Sequence, residues 1–155
     1  MNLESQVCNL ELSNKFKELE VKQDSYFAWF DNPFEEKWEV SIQTTNKLGI
    51  PAFTSSELMS LLPHRITLKE NEPFNDFTLY IKKSFIVKGE ILLKPEKIFT
   101  NDIYIINYEC DTTEMAGEDA WLKRPLFPHN IWDENFSNAL AKTLIYLIEN
   151  KIINL

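Results

Sequence analysis

A chain of 155 residues with 44% hydrophobic and 13% aromatic side chains has the length of one ordinary domain and a globular composition. A single domain over residues 1–155 is therefore expected, with a core that needs no staples. Twenty-four acidic against sixteen basic side chains leave a net charge of −8, which disfavours direct nucleic-acid binding, because a polyanion must be neutralised by Lys and Arg.

Two cysteines, Cys8 and Cys110, lie far apart and show neither a disulfide framework nor metal or redox spacing. The first residues, MNLESQVCNLELSNKF, have no basic region followed by an apolar one. The longest apolar stretch, Leu140 to Ile148, is broken by Lys142 and Thr143, whereas a membrane span needs about 18 or more apolar residues in a row. These features lead to the expectation of a soluble, cytoplasmic protein with no membrane partner.

In chain order, the spacing of Leu12, Phe16 and Leu19 predicts a helix over 12–21, with Ser13 as a candidate cap. SYFAWF at 25–30 reads as a strand apolar on both faces, hence an inner one. Asp31-Asn32-Pro33 is a turn signal, and WEVSI at 38–42 alternates as a half-buried strand does, so the two runs predict an antiparallel hairpin. Thr54 stands three residues before Glu57, the spacing of a capping box. Leu58, Leu61 and Leu62 follow at helical spacing until Pro63, which predicts a helix over 54–62.

From Arg65 to Cys110 the pattern is one of strands: 65–68, 77–81, 85–87, 90–93 and, the richest in β-branched and aromatic residues, 102–108. Residues 111 to 131, with Gly117, Pro125 and Pro128, are irregular; so long a stretch is a functional lid or contains a small helix. A helix over 133–150 closes the chain, with Phe136, Leu140, Thr143, Leu144, Leu147 and Ile148 on one face, Asp133 as candidate cap and Asn150 at its end. The predicted fold is α+β: an antiparallel or mixed sheet of about five strands with about three helices packed on it, the last across one sheet face.

Three blocks, LELSNKFKELEVKQDSYFAWF (10–30), IPAFTSSELMSLLP (50–63) and NALAKTLIYLIENKII (138–153), resemble a family of small uncharacterised proteins of bacteria, bacteriophages and mobile elements. The resemblance implies one compact domain and a mobile-element origin. It carries over no activity and no site residues.

The residues offer little chemistry. His64 and His129 have no metal-ligand spacing to each other or to a cysteine. No Ser sits in a nucleophile elbow, and three glycines, Gly49, Gly89 and Gly117, supply no phosphate-cradling loop. Cys110 stands between Glu109 and Asp111, which disfavours a thiolate. Lys82, Lys83 and Lys88 are the best basic patch, and a short one. Glu109, Asp111, Glu114, Glu118 and Asp119 form a carboxylate cluster that reads either as a solvated rim or as an acid/base or cation site, but without the turning Gly of a cation loop. No catalytic, cofactor or metal residue is assigned, and no cofactor is expected.

Trp121, Phe127 and Trp132 have two readings. They are a loop plug over the core, or an interaction surface of the kind in which Trp is favoured. The function expected is that of a non-enzymatic accessory or interaction protein with a protein partner, an acidic decoy for a DNA-binding enzyme being one form of it. The alternative is a metal-dependent hydrolase or other enzyme using the carboxylates at 109–119.

Overall fold

Asparagines, not the residues expected from the sequence, start the two long helices. The computed structural model describes residues 3–22, 24–43, 49–68, 76–87, 99–110, 124–127 and 131–154. In it α1 (Leu10–Glu18) is capped by Asn9, whose carboxamide oxygen accepts from the amide of Leu12 at 2.9 Å. Ser13, the expected cap, already lies inside the helix, with its amide bonded to the Asn9 carbonyl; its buried hydroxyl meets Cys8 Sγ at 3.3 Å. The last helix, α3 (Phe136–Glu149), is likewise capped by Asn135, which accepts from the Asn138 amide at 3.1 Å. Asp133, the expected cap, lies two residues too early. Its carboxylate accepts from the Asn135 amide at 2.8 Å and pairs with Lys142 at 2.7 Å, bracing the cap rather than being it. A side chain caps only from the residue whose backbone is still extended while its carbonyl opens the helix, and Asn9 and Asn135 hold that place.

Both helices end in the same hydrogen-bond pattern. After α1, the Val21 amide bonds to Phe16 O at 3.0 Å and the Glu20 amide to Lys17 O at 3.2 Å. After α3, Ile152 bonds to Leu147 O at 2.9 Å and Lys151 to Ile148 O at 2.9 Å. This is the Schellman closure, which requires a left-handed residue just past the cap. Glu20 (φ 56°) and Lys151 (φ 55°) occupy that position where glycine is usual.

The middle helix, α2 (Ser55–Leu61), carries the capping box expected from Thr54 and Glu57, and ends before Pro63.

The fold is α+β, as expected, with the strands divided between two sheets and more numerous than expected. The first sheet has the order β2-β1-β3: β1 (Phe27–Asn32) in the middle, β2 (Lys37–Ile42) on one side and β3 (Ile50–Pro51) on the other. The hairpin is antiparallel, with Trp29 opposite Val40, and β1 is indeed an inner strand: Ala28 and Trp29, on opposite faces, are both buried. Gly49 lets the chain come against β1, since a Cβ there would stand 2.7 Å from Ala28 Cβ and 2.9 Å from the Trp29 carbonyl.

The second sheet contains β4 (Arg65–Thr67), β5 (Asp76–Val87), β6 (Phe99–Cys110) and β7 (Arg124–Pro125) in that order, and β8 (Ile131–Asp133) also pairs with β6. The two runs expected at 77–81 and 85–87 are one continuous strand, because their intervening Lys82, Lys83 and Ser84 keep their ladder partners on β6. The expected strand at 90–93 lies outside the described residues. The end of the irregular segment is not loop: β7 and β8 both add to β6.

Alternation puts Phe77, Leu79 and Ile81 of β5 and Tyr104, Ile106 and Tyr108 of β6 on one face of this sheet, and α3 packs there. On its other sides α3 meets α1 and α2. This explains why α3 buries more than the single face its periodicity shows: Ala139, Ala141 and Ile145 are buried along with Leu140, Leu144 and Leu147. Phe136 and Ile148, from the expected face, lie at its margin and are only partly buried. A helix with neighbours on several sides must be apolar on several sides.

Candidate interaction surface

Of the three aromatic residues singled out in the sequence, the described structure separates two. Phe127 is 1% exposed and belongs to the core, its ring edge-on to Tyr108 at 6.0 Å and to Tyr146 at 4.7 Å, joining the sheet to α3. Trp132 is 49% exposed. Trp121 lies outside the described residues.

The backbone of Trp132 is held although its side chain is half open to solvent. It sits in β8 opposite Ile105 of β6, and its carbonyl accepts from Lys142 Nζ at 3.4 Å, the same ammonium that pairs with Asp133. Ile106 and Tyr104 face α3, so by alternation Ile105 and Trp132 face the opposite, outer side of the sheet. Tyr80 of β5, opposite Asn107, shares that side and is 37% exposed. Where it is open, the outer face presents an indole, a phenol and a partly covered isoleucine; Asn107, on the same face opposite Tyr80, is itself buried. Tyr80 was not singled out in the sequence, because strand alternation alone does not say which face the helices cover.

A second apolar surface lies on the hairpin, where Trp38 (39%) and Ile42 (65%) are exposed on the same side of β2 as half-buried Val40. The sequence pattern was that of a half-buried strand. The cluster of Val7, Leu10 and Trp29 reaches only Val40, leaving the two ends of the stripe open.

The remaining candidates do not assemble into a reactive centre among the described residues. Glu109 stands near the end of β6, while Asp111, Glu114, Glu118, Asp119 and His129 lie outside them. His64 is exposed just after α2, its carbonyl engaged by the Leu79 amide at 3.0 Å. In the ladder Lys82 stands opposite Ile105 and Lys83 opposite Tyr104. The Lys83 ammonium lies 5.8 Å from the Tyr104 ring centroid, and Lys88 is outside the described residues. Cys8 is buried, and burial pushes its thiol pKa up, away from a reactive thiolate. Among the described residues no three His, Cys, Asp or Glu side chains gather as metal ligands, and no helix is long and apolar enough to cross a membrane.

An open groove of about 720 Å³ runs between α1 and α3, floored by Leu12, Ile131, Ile145 and Tyr146. Its Lys15 is committed to Glu149 at 3.0 Å and to Glu18 at 3.5 Å. The hydrogen bond and charge of Glu149 raise the Lys15 pKa, the reverse of what an amine nucleophile needs. No family model, no curated protein and no solved structure matches this chain.

Proposed function

We propose that the chain is a non-enzymatic accessory protein, of phage or mobile-element origin, that binds a protein partner through the outer face of its second sheet. The observation that carries the binding role is Trp132. It is half exposed, its backbone is fixed by a strand ladder and a lysine contact, and Ile105 and Tyr80 share its face. A Trp on backbone that is already ordered has little further entropy to lose on binding, and Trp is enriched among interface hot spots. The origin rests on the resemblance of the three sequence blocks alone.

The net charge of −8 favours a partner with a basic surface, because complementary fields speed encounter. A DNA-binding enzyme occupied by an acidic decoy is one such partner. The test is affinity capture from the native host with wild-type and Trp132→Ala protein in parallel. One stoichiometric partner retained by the wild type and released at least tenfold faster by the variant is expected, in line with an interface hot spot. Equal retention by both proteins overturns the assignment of this face.

A further inference from the structure

The outer edge of β2, where no strand pairs among the described residues, carries a second kind of binding information, in its backbone. In the ladder with β1, the Gln43 amide bonds to the Tyr26 carbonyl at 2.8 Å. Bonded and non-bonded pairs alternate along an antiparallel ladder, so the pairs Phe27–Ile42, Trp29–Val40 and Asp31–Trp38 are non-bonded ones. The N–H and C=O groups of Trp38, Val40 and Ile42 accordingly point away from β1. Among the described residues no strand lies on that side. The edge has neither a proline nor a register shift in its pairing with β1, two of the devices by which sheet edges are usually blunted.

We propose that β2 pairs with β2 of a second copy of this chain, antiparallel about a two-fold axis at Val40, giving one continuous six-stranded sheet. The choice of occupant comes from the register. With Val40 opposite Val40, Trp38 of each copy stands opposite Ile42 of the other. All three outward-pointing residues then form bonded pairs, and the two exposed apolar ends of the stripe cover each other. On the other face Glu39 stands opposite Ser41 and Lys37 opposite Gln43, so no like charges are directly opposed. A shift by two in one direction sets Glu39 against Glu39; a shift in the other carries Trp38 past the end of the partner strand. Within each copy Lys37 bridges Glu35 and Glu39 and so offsets part of the acidic charge at this edge. An isologous contact of this kind closes on itself and stops at the dimer.

Sedimentation equilibrium over a concentration series tests the proposal. The mass is expected to rise from 18.3 kDa to twice that, and to do so at lower protein concentration when salt screens the repulsion between two acidic copies. Ile42→Lys, at a mostly exposed position, places a charge against Trp38 of the other copy and should abolish the dimer. Trp132→Ala should leave it unchanged, which separates this contact from the proposed partner-binding face. A direct check of register is to mix the Glu39→Cys and Ser41→Cys proteins under mild oxidation, where a 39–41 disulfide between chains is expected by peptide mapping. A monomer mass at every concentration overturns the proposal, as does a dimer that Ile42→Lys leaves intact or a mixture that gives no 39–41 linkage.

Discussion

The side chain of Asn138, in the first turn of α3, accepts a hydrogen bond at 2.8 Å from the backbone amide of Asn9, the cap of α1. The two residues are 129 positions apart, and the contact brings the starts of both helices together. Asn135 Nδ2 donating to the Ser5 carbonyl at 3.1 Å and Ser137 Oγ donating to the Gln6 carbonyl at 2.9 Å complete the clasp. Asn138→Ala removes one arm together with the longer bond that Asn138 Nδ2 donates to Asp133 at 3.3 Å, and is expected to cost about 1–2 kcal/mol, the net worth of one to two ordinary hydrogen bonds. Amide exchange of residues 5–9 should accelerate more than exchange in the core strands. Uniform acceleration would show that the clasp does not hold that segment locally.

Glu57 does more than close a capping box. Its carboxylate accepts from the Thr54 amide at 2.7 Å, the Thr54 hydroxyl at 2.7 Å, the Ser25 hydroxyl at 3.2 Å and the Tyr26 amide at 2.9 Å. It thereby ties α2 to the residues that lead into β1. Thr54→Ala should cost about 1 kcal/mol, as for a lost cap. Glu57→Ala should cost about 2–3 kcal/mol, because several charge-assisted bonds go at once. Denaturant midpoints at unchanged slope provide the comparison, and equal losses would reduce Glu57 to its helix-local role.

Glu20 and Lys151 hold left-handed backbone at the two Schellman closures. An L-residue costs about 1–2 kcal/mol in that conformation, part of which glycine gives back through its greater freedom when unfolded. Glu20→Gly and Lys151→Gly are each expected to stabilise by about 0.5–1 kcal/mol and, being at different helices, to add. A lower melting temperature in either variant would contradict the closure at that site.

Tyr108 is buried beneath α3 with its hydroxyl donating to the Pro63 carbonyl, and burial pushes its pKa well above that of an ordinary tyrosine. Folding therefore favours the protonated phenol. Its contribution is intact below the unfolded value of about 10 and falls as pH rises above it, because the unfolded chain then releases a proton that the native one retains. The limiting slope is about 1.4 kcal/mol per pH unit. Wild-type stability should fall above pH ~10 with a component that Tyr108→Phe removes, at the cost of about 1 kcal/mol at neutral pH for the lost hydrogen bond. Parallel alkaline profiles for the two proteins would contradict it.

What the sequence determined by itself was local and periodic. The capping box at Thr54 and Glu57, the stop before Pro63, the hairpin (its turn at 33–36, just after the expected 31–33, since Asp31 and Asn32 still pair in β1) and the apolar repeat of α3 are each written within a few residues, so the α+β class was legible. The tertiary structure decided everything that depends on what lies alongside. Asn9 and Asn135 displaced Ser13 and Asp133 as caps because the helix start is set by where the backbone turns out of its extended entry. Glu20 and Lys151 carry no turn signal, and their left-handed geometry goes with the Val21 and Ile152 amides bonding back to the Phe16 and Leu147 carbonyls. Phe127 and Trp132 stand five residues apart in one aromatic-rich stretch. One enters the core between Tyr108 and Tyr146 and the other faces outward, because β8 pairs with β6 in a register that turns Ile131 and Asp133, not Trp132, toward α3. Composition marks a residue as fit for core or interface alike; only the neighbour that covers it makes the choice.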